Sequence, residues 1–361
     1  LGRKNYDEII LVFIRNLILA LFIGLVIIFF KEPVIFLIKY FFQASEETQI
    51  LINKYISIRI LSAPAELIIY VLAGLYLGMQ RTFISSLMIA IFCFGNVILS
   101  AILVIRFDLE IFGVAAGTAI AAYVTVILFL IFSYLNLNKK LKISPTYKTI
   151  FNVKKMLKLF NINFDIFIRT ICLTFSFLWF TYQSSRLGEN YLAINTLLMQ
   201  FVMLASFFLD AYAFSTEAII GFTIGKREKK SFLQTVANSF QLSIFSGVII
   251  SVIYVFTFKY IINELTDLDY LIFLTFNYIV WIIIIPPVSS ICYQFDGIFI
   301  GASQTAEMRN GMIVSIVLFL LSSHFLVSNF GNHGLWLSLL FFMIMRSITL
   351  NYYFKKIQEI F

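Results

Sequence analysis

A few charged side chains stand inside long apolar runs of the sequence. The acids are Asp210, Glu217 and Asp296, and the base that accompanies them is Arg169. Glu217 follows Asp210 by seven residues, so a helix places both carboxylates on one face. An ionisable side chain in hydrocarbon is costly unless it is paired or hydrated, and it is a functional candidate by default. A carboxylate in a low dielectric binds a proton more readily, which suits a site that loads and releases H+ or Na+.

Each of these residues also has a simpler interpretation. Arg169 is a fixed cation and can serve only to neutralise one acid and hold the helices together. Glu217 lies close enough to a helix end to be hydrated, and Glu66 lies toward the outer end of its own run, where it would be half solvated. Arg346 stands near the end of the last apolar run, so we expect its side chain to extend to the membrane surface.

The elements that carry these residues are membrane helices. Of the 361 residues, 61% are hydrophobic and 13% are charged, whereas a soluble domain has about a quarter charged residues. This composition excludes a soluble enzyme, a DNA-binding module and a disordered linker. A spanning helix needs about 20 largely apolar residues. Ten runs qualify: 9–30, 56–79, 83–105, 112–135, 162–184, 191–224, 236–258, 271–303, 311–328 and 334–354.

One predicted span is interrupted by two prolines. The run 271–303 is longer than a bilayer requires and contains Pro286 and Pro287 in its middle. Proline removes a backbone donor, so we expect a kink or local unwinding of one long helix at this point.

The orientation follows from the Lys and Arg residues in alternate loops. One set of loops contains seventeen basic residues, the other seven, and the second set also contains acids. The richer set is predicted to be cytoplasmic, which puts both ends of this chain inside. We therefore predict a multi-pass protein of the plasma (inner) membrane. Its predicted partner is the lipid bilayer, it is expected to bind no nucleic acid, and it is predicted to be a monomer.

Matching features recur at a constant spacing of 223 residues. The pairs are Gly2-Arg3-Lys4 with Gly225-Lys226-Arg227, Pro64 with Pro287, Gly74 with Gly297, and Gly78 with Gly301. An even number of spans separates the copies, which predicts a parallel repeat, as in one class of secondary transporters. The glycines form small-xxx-small pairs that favour close helix packing, with a hinge as the alternative role for these glycines and prolines.

The repeat predicts three parts of the chain. Residues 1–138 are the remainder of an N-lobe, residues 139–160 a basic cytoplasmic linker, and residues 161–361 a C-lobe. The second copy has two spans before Gly225 that the first copy lacks. We therefore expect about sixty to seventy further residues upstream, making twelve spans in all, and we expect the chain without them not to transport.

No cofactor or metal site is predicted. Cys93, Cys172 and Cys292 are scattered through apolar runs, with neither the spacing of a zinc site nor that of a disulfide framework. The only inorganic partner that the buried acids suggest is a coupling ion, H+ or Na+.

Several strings resemble a known family. Those in its eighth and tenth helices are the most specific: Phe208-Leu209-Asp210-Ala211-Tyr212-Ala213-Phe214 with Glu217-Ala218, Gly221 and Ile224-Gly225, and Asp296-Gly297-Ile298-Phe299-Ile300-Gly301-Ala302 with Glu307-Met308-Arg309-Asn310. Supporting strings are Ser62-Ala63-Pro64-Ala65, Gly113-Val114-Ala115, Leu335-Trp336 and Met345-Arg346. Together they resemble the multidrug and toxic compound extrusion (MATE) family, in the branch named for the DNA-damage-inducible protein F.

The resemblance implies a two-lobed exporter of twelve helices, about ten of which are present here. Such proteins exchange H+ or Na+ for bulky, often cationic, amphipathic molecules by alternating access, with a cavity near the midplane. The coupling Asp of the branch belongs to the first helix, which this chain lacks. Asn96 fits the pattern of the fifth helix, but Ser100 and Ala122 stand where acids are usual.

The sequence thus predicts an ion-coupled antiporter whose site includes Asp210, Asp296, Glu217, Arg169 and Asn96. A flippase of lipid-linked oligosaccharides, from the same superfamily, is the alternative, and it needs several basic residues in the cavity to hold a diphosphate. A membrane-embedded enzyme needs clustered His, Cys or paired acids with a serine, which the sequence does not supply, so no enzymatic activity is expected.

Overall fold

The computed structural model describes residues 1–41, 45–137 and 147–361, and these ranges are helical, with no strand among them. The helices are α1 (Tyr6–Phe29), α2 (Lys31–Phe41), α3 (Glu46–Arg59), α4 (Ala63–Gly78), α5 (Thr82–Ile105), α6 (Glu110–Leu137), α7 (Tyr147–Ile150), α8 (Val153–Leu187), α9 (Glu189–Lys226), α10 (Lys229–Leu265), α11 (Asp269–Phe276), α12 (Ile279–Gly301) and α13 (Thr305–Gln358). One 3-10 turn, Ile60–Ser62, joins α3 to α4.

Nine helical segments in these ranges are long and apolar enough to cross a membrane. The prediction of an all-α, multi-pass membrane protein is therefore confirmed. The predicted spans 311–328 and 334–354 both lie in α13, whose helical geometry is broken at Gly331 by a φ of 54°. Such a backbone conformation costs glycine nothing, so the chain changes direction there.

Of the two outcomes predicted at Pro286 and Pro287, local unwinding is wrong, and a kink remains a prediction. The interruption lies earlier, between the end of α11 and the start of α12, and α12 runs through both prolines. Pro287 cannot donate to the carbonyl of Ile283, four residues before it. The hydroxyl of Ser251 in α10 donates to that carbonyl at 2.6 Å instead. A neighbouring helix thus satisfies the freed backbone group, as membrane helices allow.

Contacts divide the chain into two compact units, residues 3–157 and 158–361. In the first, Leu72 and Met88 lie in a core of α4, α5 and α6 side chains. In the second, the core is larger and surrounds the fully buried Trp336. The lobe boundaries predicted from the sequence remain a prediction, because residues 138–146 of the predicted linker lie outside the described residues.

Within the first unit, a buried arginine of α1 connects this helix to the short helix α7 through hydrogen bonds. Arg15, 1% exposed, donates to the carbonyls of Thr149 (2.6 Å) and Ile150 (2.9 Å). Glu8 accepts from Arg15 at 3.2 Å and from Lys155 at 2.6 Å. The last carbonyls of a helix have no intrahelical donor, and here the guanidinium of Arg15 supplies one to those of α7.

The 223-residue spacing recurs in the backbone. Among the residues at positive φ are three pairs at this spacing. These pairs are Lys4 with Arg227, Gln80 with Ser303, and Asp108 with Gly331. Left-handed backbone is rare in residues other than glycine, so its recurrence at matched positions indicates that both units use the same turns.

A close helix contact is also duplicated. A Cβ added to Gly24 would lie 2.5 Å from Cα of Pro64, and one added to Gly247 would lie 2.8 Å from Cα of Pro287. Both pairs keep the 223-residue spacing. In each unit, therefore, a glycine lets one helix approach the proline of another.

The predicted glycine pairs differ between the units. A Cβ on Gly297 would meet the backbone of Ala213, and one on Gly301 would meet the backbone of Glu217, so α12 lies against α9 at these points. Gly74 and Gly78 have nothing within 4 Å of an added Cβ. Small residues at 297 and 301 thus permit close packing, whereas a hinge role remains a prediction.

We expect Ser251→Ala to lower the free energy of unfolding by about 1 kcal/mol, because the carbonyl of Ile283 loses its donor. Ser243→Ala is the matched control on the same helix. The hydroxyl of Ser243 is buried without a partner among the described residues, so its removal should cost little. Thermal unfolding of both variants in detergent measures the difference; equal midpoints would contradict the role given to Ser251.

Gly297→Ala is expected to destabilise the 361-residue chain by about 1–3 kcal/mol, since the methyl group meets the backbone of α9. Gly74→Ala occupies the matched position of the first unit, where nothing lies near the added methyl, and should be neutral or stabilise slightly through helix propensity. Unfolding midpoints in detergent compare the two. Similar losses in both variants would show that backbone contact at Gly297 is not the cause.

Candidate functional site

Five of the charged residues singled out in the sequence lie on four helices of the second unit. Arg169 is on α8, Asp210 and Glu217 on α9, Asp296 on α12, and Arg346 on α13. Asp296 is where these helices are joined. Its Oδ2 accepts from Nη2 of Arg169 and, at 2.6 Å, from Nη2 of Arg346.

The expectation for Arg346 is wrong. Its side chain is 1% exposed and pairs with Asp296, rather than extending to the membrane surface. The rings of Tyr293 and Phe342 lie 5.7 Å from its Cζ, and Nη1 contacts the sulfur of Met343 at 3.3 Å. Aromatic faces and a counter-ion together replace the water that a guanidinium would otherwise require.

The ion pairs leave some polar atoms of the cluster unused. Oδ1 of Asp296 and Nε of both arginines are buried without a hydrogen-bond partner in the described part of the chain. Two guanidinium groups therefore meet at a single carboxylate oxygen. Together Asp296, Arg169 and Arg346 carry a formal charge of one positive unit, which another acid must balance at low dielectric.

Asp210 is the acid placed to balance it. It interacts electrostatically with Asp296, Arg169 and Arg346. Within the described residues its carboxylate makes neither a hydrogen bond nor an ion pair, and it is only partly enclosed. The structure thus brings Asp210, Asp296 and Arg169 into one electrostatic cluster, with Arg346 as the fourth member.

Polar contacts between α9 and α12 hold Asp210 beside this cluster. The hydroxyl of Tyr293 donates to Ser206 at 2.7 Å, and the hydroxyl of Thr216 donates to Gln294 at 2.8 Å. Ser206 lies one turn before Asp210 on the same face of α9. Ala213, whose backbone lies against Gly297, follows about one turn after Asp210. Asp210 is therefore set on the α12 side of its helix by contacts on both sides.

Glu217 is separate from the arginines. It is partly buried, its backbone contacts Gly301, and no ion pair to it occurs within the described residues. It lies on the same face of α9 as Asp210, two turns nearer to Lys226.

Asp165 is a buried acid that the sequence analysis missed. Its carboxylate accepts from Thr305 at 3.0 Å and from Arg309 at 2.5 Å, and so joins α8 to the start of α13. It stands four residues before Arg169, on the same face of α8. Its position inside the predicted span 162–184 was the signal that could have found it.

A buried amide network positions the part of α13 after Gly331, which carries Arg346. Asn332 follows the break at Gly331 and exchanges hydrogen bonds with Asn195 of α9, at 2.6 and 3.1 Å. The indole of Trp336 donates to the same Asn195 at 2.8 Å. Satisfied buried networks of this kind specify one arrangement.

In the first unit, the predicted residues lie in local contacts. The amide oxygen of Asn96 accepts from Thr118 at 3.0 Å and from Ser100 at 3.1 Å, which joins α5 to α6. Glu66 pairs with Arg59. Pro64 lies against Gly24, as described above.

Long apolar helices that enclose opposite charges in their interiors are typical of polytopic membrane transporters, in which such residues mark ion or substrate paths. The comparisons with known proteins agree. A family model described as MatE matches residues 166–328. DNA damage-inducible protein F of Escherichia coli (strain K12) is 32% identical over 355 residues, covering 97% of this chain and 76% of that protein. The chain belongs to the MATE family of transporters.

Two further relatives show the breadth of the similarity. Protein DETOXIFICATION 42 of Arabidopsis thaliana is 23% identical, over 82% of this chain and 56% of that protein. Multidrug export protein MepA of Staphylococcus aureus is 28% identical, over 49% of this chain and 39% of that protein. The chain therefore spans only part of the length of its curated relatives.

Solved structures confirm the fold. A mutant of the Vibrio cholerae MATE transporter VcmN has a TM-score of 0.83 at 17% identity, covering 98% of this chain and 83% of that one. A MATE protein in complex with MaL6 has a TM-score of 0.88 at 15% identity, covering 99% and 81%. The relatives found are transporters rather than enzymes.

We expect Asp296→Leu to destabilise the second unit by roughly 3–5 kcal/mol, because the buried guanidinium of Arg346 and the partly buried one of Arg169 lose their counter-ion. Adding Arg346→Met should recover part of this loss, since it replaces an unpaired cation with an apolar side chain. Thermal unfolding in detergent measures both variants. A double variant less stable than Asp296→Leu alone would contradict the ion-pair assignment.

Proposed function

We propose that the protein is a secondary active exporter that exchanges amphipathic, often cationic, small molecules for H+ or Na+. The observation that carries this proposal is the unpaired carboxylate of Asp210 beside the Asp296–Arg169–Arg346 cluster in the second unit. Membership of the MATE family and the similarity to a multidrug export protein support it.

Within this proposal, the two aspartates have different tasks. Asp296 is held by two guanidinium groups, so exchanging its counter-ion would cost two buried ion pairs. Asp210 has no such partner among the described residues. It is therefore the better residue to accept either a coupling ion or the cationic group of a substrate, while Asp296 serves as the counter-ion of the arginines in the described state.

Competition for one carboxylate provides the exchange. A buried acid that holds either the ion or the substrate, but not both, makes the release of one a condition for binding the other. Differential affinity of each ligand for two conformations then drives alternating access. Glu217, which lies on the same face of α9 toward Lys226, is proposed as a second binding site for the ion.

We also propose the location and orientation. The excess of Lys and Arg in one set of loops supports insertion in the plasma (inner) membrane with both ends of this chain cytoplasmic. On this orientation Glu217 lies toward the cytoplasm from Asp210. The proposed partners are the lipid bilayer and small amphipathic substrates, and the protein acts as a monomer without a cofactor.

The flippase alternative is less well supported. A diphosphate headgroup needs free cationic side chains, ideally guanidinium groups that can bind phosphate with two hydrogen bonds. Arg346 is buried and Arg169 is 16% exposed, and each pairs with Asp296. In the described state both guanidinium groups are therefore engaged within the protein.

Gradient-driven transport tests the proposal. The complete open reading frame is expressed, and ethidium uptake into everted vesicles is followed with an imposed H+ or Na+ gradient. We expect uptake with one gradient and its loss, by about tenfold or more, in Asp210→Asn, because the amide can neither carry the ion nor attract the cation. Asp267→Asn, which changes an exposed acid between α10 and α11, is the matched control.

Asp296→Asn is measured in the same assay. Unchanged efflux in that variant would remove Asp296 from the mechanism. No uptake by the unmodified protein with either gradient, for several amphipathic cations, would overturn the proposed function.

A further inference from the structure

The cluster holds two guanidinium groups at one oxygen while a second carboxylate nearby is unpaired. We propose that Arg169 is an exchangeable internal cation: it pairs with Asp296 in the state described here and moves to Asp210 when Asp210 is ionised and holds no substrate. Arg169 would thus compete directly with the cationic group of a substrate. This inference rests on the proposed function and assigns to Arg169 a role in substrate release.

Of the two arginines, Arg169 is the one able to move. Its side chain is 16% exposed, whereas that of Arg346 is 1% exposed and lies among Tyr293, Phe342 and Met343. No aromatic ring is recorded against the guanidinium of Arg169 in the described residues. These ring and sulfur contacts enclose Arg346, whereas Arg169 is held mainly by its ion pair with Asp296.

The acid of α8 that could compete for Arg169 is Asp165, which lies four residues earlier on the same face of the helix. Its two oxygens are already bonded to Arg309 and Thr305. The choice for Arg169 is therefore between Asp296 and Asp210.

The move would leave Asp296 with a partner. Arg346 donates to it at 2.6 Å, so the departure of Arg169 does not create an isolated buried carboxylate. After the move each aspartate has one arginine, and the formal charges balance pair by pair. Before it, Asp296 has two arginines and Asp210 has none, so Asp210 opposes the positive charge of the cluster only through space, and no longer does so once a proton or a bound cation neutralises it.

The groups that act on Asp210 come from three packed helices. They are Arg169 of α8, Asp296, Cys292 and Tyr293 of α12, and Arg346 of α13. Because Arg346 is fixed to Asp296, Arg169 is the cation in this set that can respond to a change in the charge of Asp210.

Binding of tetraphenylphosphonium tests the proposal. This permanent, amphipathic cation has no hydrogen-bond donors, so charge dominates its interaction with a carboxylate. We measure its Kd by equilibrium titration of the full-length protein in detergent, for the unmodified protein and for Arg169→Gln. We expect Arg169→Gln to bind about tenfold more tightly, because the competing cation is gone.

Control variants separate competition from a structural effect. Arg309→Gln removes a different ion pair of α8, the one between Asp165 and Arg309 of α13, and should leave the Kd unchanged. Arg169→Lys, which retains a tethered cation, should restore most of the weaker binding. In the Asp210→Asn background, Arg169→Gln should give no gain, which gives a coupling of about tenfold in the double-mutant cycle. The neutral triphenylphosphine oxide should bind equally to all variants.

The outcomes distinguish the two proposals. If the unmodified protein binds and transports the cation but Arg169→Gln binds it no more tightly, the internal-cation role is wrong and the exporter proposal stands. A gain that persists in the Asp210→Asn background equally overturns it. If the unmodified protein neither binds nor transports amphipathic cations, the proposed function fails, and this inference fails with it. Unchanged thermal unfolding midpoints confirm that each variant is folded.

Discussion

The pairing of Asp296 with Arg169 and Arg346 is the interaction on which the second unit depends. None of these charges is tolerable alone inside an apolar helix. Because the three residues come from α8, α12 and α13, pairing them sets the relative depth of the three helices. The same requirement explains why so much of the neighbouring polar chemistry, from Asp165 with Arg309 to Asn195 with Asn332, also joins different helices. Because the membrane interior holds no water, a buried polar group must find its partner within the protein, and a partner on another helix also positions the two helices.

The constraint extends to the backbone. Two prolines in α12 would be expected to break it, yet the helix continues because Ser251 reaches the freed carbonyl of Ile283. The proximity this needs is supplied by Gly247, whose missing side chain lets α10 approach Pro287. A glycine and a serine of α10 thus act together with a proline of α12, and the contributions of the glycine and the serine are not visible in the local sequence of α12.

Much of the fold follows from the sequence because the bilayer imposes a simple rule of length and apolarity. Residues such as Asp210 and Asp296 were predicted on the same rule, as charges where none is expected. Arg346 was misjudged because its depth was measured from a span ending at 354, whereas α13 continues to Gln358 and Arg346 stands twelve residues before that end. Its partner, moreover, is 50 residues away on another helix. Single-sequence patterns report how deep a charge lies, but not which charge faces it.

The comparison of the two units separates scaffold from chemistry. Gly24 against Pro64 and Gly247 against Pro287 are the same contact at the same 223-residue spacing, so duplication has kept the packing. At that spacing, however, Asp296 corresponds to Ala73, which is buried without charge. The first copy therefore forms the matching helix without a charge at this position, so the repeated architecture does not call for one. A charged cluster in only one of two similarly built units is best explained by the task of the site. The asymmetry between two similarly built units is thus an argument for function that neither unit provides alone.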